Sequence, residues 1–236
     1  ATASMTSSAT MLIDAMIEPH YIDKLLEACD GALCFASSCI LGYQVYDGYV
    51  AAKAVRERYP ELPIIWGGWF PSVIPEMYLE AGIADAVGIG QGELTFREVV
   101  QALDAGEDLA RVPGLAIWRD GRLVYTDHRE VVGFDRFEPV PWHLLEYERY
   151  AELQTKPTKL KVRHRFPLPG KWTPVNPPRA FTYFSSYGCP EPCTFCCSPQ
   201  VTDRRWKAMP AERMLDDLCE LHARWGFDAV RFHDAN

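Results

Sequence analysis

The chain has 236 residues, 48% of them apolar and 24% charged, the balance of a folded globular chain rather than a disordered one. That length predicts one large or two small domains. Lysine and arginine total 24 against 32 acidic residues, and a net charge of −8 excludes a broad cationic face for nucleic acid. No apolar run approaches the roughly 18 residues of a membrane span.

The first hundred residues alternate short apolar runs with amphipathic stretches, the pattern of βαβ units around a parallel sheet. Ala1–Thr10 lacks a basic segment and a long apolar segment, so it reads as a frayed or cut end rather than a targeting signal. Thr10–Ala15 is expected as a strand, Tyr21–Ala28 as a helix, and the apolar run Gly31–Ala36 as a strand covered on both faces, ending at Ser37-Ser38. A helix over Tyr46–Arg58 stops before Pro60. Strand Pro63–Trp66, the turn Gly67-Gly68, a helix near Ile74–Ala81 and strand Asp85–Ile89 follow. The turn Gly88-Ile89-Gly90-Gln91-Gly92 then leads into a helix over Leu94–Leu103, with Glu93 near its positive end.

From Pro113 the period changes. Leu115–Trp118 and Leu123–Thr126 flank an Asp-Gly tip and predict a hairpin. A short helical piece is expected at Trp142–Tyr150. Lys156–Pro178 is basic, proline-rich and aperiodic, and reads as a linker or surface strap. The last unit is strand Phe181–Ser185, a cysteine loop, helix Ala211–Trp225 and strand Ala229–Phe232. The expected domains are thus an α/β domain over 1–108, a linker with its hairpin over 109–179, and the start of a further α/β domain over 180–236. A single βαβ unit cannot bury both faces, so further strands are expected beyond Asn236.

Four of the eight cysteines, Cys189, Cys193, Cys196 and Cys197, fall within nine residues, which suits a metal or cluster site in a reducing, cytoplasmic setting. Three thiols at spacings of four and three, on a loop with a glycine and two prolines, can reach three corners of a [4Fe–4S] cluster and leave one iron open. A zinc site would need a fourth ligand, from Cys197 or a distant histidine, and a redox thiol pair is a further alternative. Cys29, Cys34, Cys39, Cys197 and Cys219 are expected as packed thiols. The strand-end turns Ser37-Ser38, Gly67-Gly68 and Gly88–Gly92 stand where a parallel sheet places its ligand crevice, and glycines there let backbone N–H groups approach a ligand. The spacing Gly-x-Gly-x-Gly-Glu departs from the dinucleotide fingerprint.

Cys-x₃-Cys-x₂-Cys with Phe195 before the third cysteine, after a strand and before a βα unit, resembles the signature of the radical S-adenosylmethionine (SAM) superfamily. Together with Ile64-Ile65-Trp66-Gly67-Gly68, Val87–Glu93, Val112–Leu115 and Pro139–Tyr150, it resembles the class that carries a B12-binding domain before the radical SAM domain. The resemblance implies a flavodoxin- or Rossmann-like, cobalamin-binding α/β domain followed by the first βαβ of a partial TIM-type barrel, in a chain short at both ends. It implies that Cys189, Cys193 and Cys196 ligate the cluster, that Phe195 and Asp234 contact SAM, and that Ser37, Ser38, Gly67, Gly68, Gly88, Gly90, Gly92 and Glu93 contact cobalamin. The absence of Asp-x-His-x-x-Gly from the sequence leaves cobalt without a histidine from that motif. The implied activity is reductive cleavage of SAM to a 5′-deoxyadenosyl radical, used to methylate an unactivated carbon, with a flavodoxin or ferredoxin as reductant and a small-molecule substrate. Alternatives are an oxidative cyclase of the porphyrin-ester type, a radical SAM enzyme with a scaffold first domain, or a thiol module binding zinc. The chain alone is expected to be inactive.

Overall fold

A computed structural model describes residues 10–155 and 179–235. The strap expected over Lys156–Pro178, with His164, and nearly all of the expected cut end lie outside them. In chain order the helices and strands are α1 (Tyr21–Ala28), β1 (Phe35–Ser38), α2 (Tyr43–Arg58), β2 (Ile64–Gly67), α3 (Trp69–Val73), α4 (Pro75–Glu80), β3 (Ala86–Gly88), α5 (Gly92–Asp104), β4 (Leu115–Arg119), β5 (Arg122–Tyr125), α6 (Tyr147–Thr155), β6 (Ala180–Tyr183), β7 (Ser186–Gly188), α7 (Ser198–Val201), β8 (Trp206–Ala208), α8 (Ala211–Trp225) and β9 (Ala229–Phe232). They fall into two compact units, one of residues up to Pro139 with Tyr187–Lys207, the other of Val140–Ser186 with Ala208–Asp234.

The first unit is built on a five-stranded sheet in the order β1-β2-β3-β4-β5. Strands β1, β2 and β3 are parallel, with Ser38 opposite Gly67 and Trp66 opposite Val87. Successive side chains of a strand point to opposite faces, and here both faces are covered. On β2, Ile64 and Trp66 join a core with α1, α2 and α4, while Ile65 joins a second core with Val99 and Ala102 of α5. Val87 and Ala116 face the first core; Ala86, Leu115 and Ile117 face the second.

The sequence pattern predicts a parallel sheet, but the observed sheet is mixed. β4 runs antiparallel to β3, and β5 antiparallel to β4. The hairpin assigned to the linker therefore completes the sheet. Its tip, Asp120 and Gly121, has φ of 51° and 71°, the left-handed pair that a two-residue hairpin turn requires. The strand expected at Thr10–Ala15 does not form, and Met11 and Leu12 are exposed. β1 begins at Phe35 instead of Gly31, because its partner β2 begins only at Ile64.

In the second unit β6 and β9 pair in parallel, Ala180 opposite Ala229 and Tyr183 opposite Phe232, with α8 as the crossover. Helix α8 and strand β9 have the bounds expected from the sequence. Gly226 ends α8 in the left-handed conformation that favours glycine there. The core is aromatic: Phe181 lies 5.4 Å from Trp142 and from Trp225, and Tyr147 stacks on Trp225 at 5.0 Å. The buried Tyr183 hydroxyl donates to Asp217 at 2.7 Å.

Candidate functional site

Parallel pairing brings the carboxyl ends of β1, β2 and β3 to one edge of the sheet, and a cavity of about 550 Å³ opens there. This is within the roughly 300–1,000 Å³ of small-molecule sites. Ser37, Ser38, Gly67, Gly68, Gly88, Gly90, Gly92 and Glu93 all line it. The floor is apolar, from Ala36, Ile65, Val99 and Leu115. Trp66 also borders it, yet is a core residue: it is buried, contacts Tyr78 at a ring distance of 4.5 Å and donates its indole N–H to the Ile83 carbonyl at 2.8 Å.

The glycines divide by cause. Gly68 has φ +99°, and a Cβ on it would stand 2.2 Å from the Cys39 carbonyl oxygen; Gly90 has φ +74° and would meet the Val201 carbonyl oxygen at 2.9 Å. The fold demands glycine at both. Gly67, Gly88 and Gly92 have no such backbone demand. A Cβ on Gly67 or Gly92 would meet nothing within 4 Å, and one on Gly88 would meet Trp66 only at an ordinary 3.7 Å. All three line the cavity nonetheless.

Sequence reasoning missed the residues that hold this frame. Ser72, 6% exposed on α3, places its hydroxyl 2.7 Å from the Gly68 carbonyl and 3.3 Å from the Gly88 carbonyl, and accepts the Gly90 N–H at 3.0 Å. Its bond to the residue four earlier is a habit of helical serine, the one signal available in the sequence. The Gln91 side chain pairs with both backbone groups of Val132, at 2.9 and 3.2 Å. Glu93 keeps contact with solvent, yet the protein packed around it pushes its carboxyl up. Tyr187 and Val201 also line the cavity. Burial first, then the nearby charges of Glu93 and Asp203, push the Tyr187 hydroxyl up.

The cysteine loop follows β7. Gly188 has φ +84°, and a Cβ there would stand 2.0 Å from the Arg205 carbonyl oxygen, so this turn accepts glycine alone. Cys189 is buried, whereas Cys193, Cys196 and Cys197 are exposed. The Cys196 sulfur accepts the Ser198 N–H at 3.4 Å. Among the described residues no three His, Cys, Asp or Glu side chains converge into a metal site. Donor type suits an iron–sulfur cluster: three thiols on one short loop, two of them open to an incoming group.

Phe195 is 92% exposed, so its ring has no packing role. Asp234 accepts from the N–H and hydroxyl of Ser185 and of Ser186, all at 2.7–2.9 Å, which brings the ends of β6 and β9 together. Burial alone would raise its carboxyl, but these four bonds hold it below the usual carboxylate range. Cys197 and Cys219, expected to be packed, are exposed because the loop and the polar face of α8 leave them in solvent. Cys29 and Cys39 are buried and Cys34 is half-buried; burial pushes all three thiols up, as suits a packing role.

No family model matches the chain. It is 28% identical over 192 residues to an uncharacterized methyltransferase of Pyrococcus horikoshii, covering 80% of this chain and 37% of the relative. It is 24% identical over 183 residues to an anaerobic magnesium-protoporphyrin IX monomethyl ester cyclase of Synechocystis sp., covering 77% and 32%. The chain thus spans about a third of the length of these relatives. Among solved structures, the radical SAM methyltransferase TsrM of Kitasatospora setae, bound to cobalamin and a [4Fe–4S] cluster, superposes with a TM-score of 0.64 at 15% identity, over 92% of this chain and 40% of that one. The cobalamin-dependent radical SAM enzyme OxsB, with aqua-cobalamin and SAM bound, gives 0.68 at 19% identity, over 91% and 27%. In sequence this chain thus resembles a methyltransferase and an ester cyclase, and in fold the cobalamin-dependent radical SAM enzymes TsrM and OxsB, likenesses that agree with the B12-binding radical SAM class.

Proposed function

We propose that this chain is the cobalamin- and cluster-holding part of a cobalamin-dependent radical SAM enzyme. The observation that carries the reading is the cavity at the β1–β3 edge, lined by all eight residues expected at a cobalamin and kept open by Gly67, Gly88 and Gly92 without a demand from the fold. When bound, the cluster supplies a low-potential electron and an open iron, SAM the radical precursor, and cobalamin a transferable methyl group.

The chain's own residues divide the work. The bare glycines and the apolar floor admit a bulky planar body, and Ser37, Ser38 and Glu93 offer polar groups to its rim. Cys189, Cys193 and Cys196 hold the cluster, which requires the loop to draw its thiols together. Phe195 is free to lie against an adenine. The Asp234 carboxylate, already bonded four times, braces the strand ends beside any SAM contact it makes. Methyl transfer to a small molecule is the first reading of the reaction. Oxidative cyclisation is the second, because two relatives are named magnesium-protoporphyrin ester cyclases. A flavodoxin or ferredoxin would be the reductant.

Anaerobic reconstitution with iron and sulfide tests the cluster. The wild type should gain the broad visible absorption of iron–sulfur charge transfer, and Cys189→Ala should lose it while Cys197→Ala keeps it. Stoichiometric zinc with no iron uptake would reject the reading in favour of a zinc module.

A further inference from the structure

The cysteine loop is fastened at both ends to the wall of the cavity. Tyr187 stands two residues before Cys189 and Val201 four residues after Cys197, and both line the cavity. Each end is tightly seated. Gly188 packs its Cα against the Arg205 carbonyl, and the Val201 carbonyl presses on Gly90, within the turn that Ser72 holds. The Thr202 hydroxyl, wholly buried, donates to the Ser198 carbonyl at 2.8 Å and closes the short helix after the loop. Between these anchors Cys193, Cys196, Cys197 and Phe195 are exposed. Within this stretch the backbone bonds locally, as from the Cys196 N–H to the Cys193 carbonyl at 3.2 Å.

We propose that Tyr187 and Val201 contact the ligand of this cavity, and that its occupancy thereby fixes the cysteine loop and lowers the reactivity of the Cys193 and Cys196 thiols. This rests on reading the cavity as a cobalamin site. A ligand shifts a loop equilibrium only by its differential contact with the loop's states, and Tyr187 and Val201 supply that contact directly. Coupling is reciprocal: a loop fixed through its thiols must tighten ligand binding by the same factor. Loading of the two sites is thus coupled through one wall they share.

The probe is methylcobalamin in the dark, whose alkyl group keeps thiols from the metal. With the metal-free full chain under anaerobic conditions, affinity is read by equilibrium dialysis, and alkylation of Cys193, Cys196 and Cys219 by peptide mass spectrometry. Saturating methylcobalamin should slow alkylation of Cys193 and Cys196 by about fivefold or more, the low end of ordinary coupling. The exposed Cys219 on α8 should react at an unchanged rate. In Tyr187→Ala, and in Val201→Ala should the first variant fold poorly, affinity should fall about tenfold and protection at saturation should fall below about twofold. Methylcobalamin bound with unchanged Cys193 and Cys196 rates overturns the coupling and leaves the cavity reading standing. No binding to the folded chain overturns both.

Discussion

The Ser72 hydroxyl accepts the Gly90 N–H at 3.0 Å, and so ties the turn after β3 to the helix that follows the turn after β2. The same oxygen donates to the Gly68 carbonyl at 2.7 Å, so one buried side chain sets the spacing of two cavity turns. Ser72→Ala strips the Gly90 N–H of this acceptor, while the Gly68 carbonyl keeps the backbone N–H of residue 72 at 3.2 Å. The expected cost is about 1–3 kcal/mol, read as a lower midpoint in urea unfolding, together with weaker methylcobalamin binding.

Adjacent glycines should answer unequally to the same substitution. Gly68→Ala forces a Cβ to 2.2 Å from the Cys39 carbonyl oxygen in a left-handed conformation, and should destabilise the chain by about 2 kcal/mol or more. Gly67→Ala meets open space and should stay within about 0.5 kcal/mol of wild type. Equal losses in the two variants would contradict the division drawn between fold-required and cavity-required glycines.

Gly92 opens α5, and Cβ there meets nothing within 4 Å. Gly92→Ala should therefore raise stability by about 0.5 kcal/mol through the unfolded chain. It should nevertheless weaken methylcobalamin binding, because the added methyl projects from the cavity wall. Thermal unfolding and equilibrium dialysis on one sample separate the two effects.

Asp234 gives a pH prediction. Its carboxyl titrates below its ordinary 3.8 in the folded chain, so the ionised form is favoured by folding. The stability it contributes is complete above the unfolded value and is lost as pH falls through the folded one. Asp234→Asn should flatten the acid limb of the stability curve below about pH 4 while lowering stability at neutral pH. An acid limb identical to wild type would remove Asp234 as the brace of β6 and β9.

Much of this was legible in the residues. Tyr21–Ala28 and Ala211–Trp225 carry clear amphipathic periods and form helices with those bounds. The Asp120-Gly121 tip announced its hairpin, but nothing local says that a hairpin joins a sheet, since that depends on β3 offering an edge to β4. Thr10–Ala15 has the pattern of a strand, yet among the described residues it forms none. Helix α3 was hidden by Gly67-Gly68 before it and Pro71 within it, which read as a loop, and Ser72 was hidden with it. The turns Ser37-Ser38, Gly67-Gly68 and Gly88–Gly92 share one edge because chain direction alone puts them there in a parallel sheet. Tyr187 and Val201 were not legible on that wall, because their place there is tertiary.

The account depends most on the cavity's holding a corrinoid, and the direct measurement is the dissociation constant of methylcobalamin for the wild type and for Gly67→Val, with unfolding midpoints in parallel. The wild type should bind, and the variant should lose at least about tenfold in affinity at little cost in stability, since Gly67 lines the cavity and a Cβ there meets no protein atom. Equal affinity in the two, or no binding by a folded wild type, would contradict it.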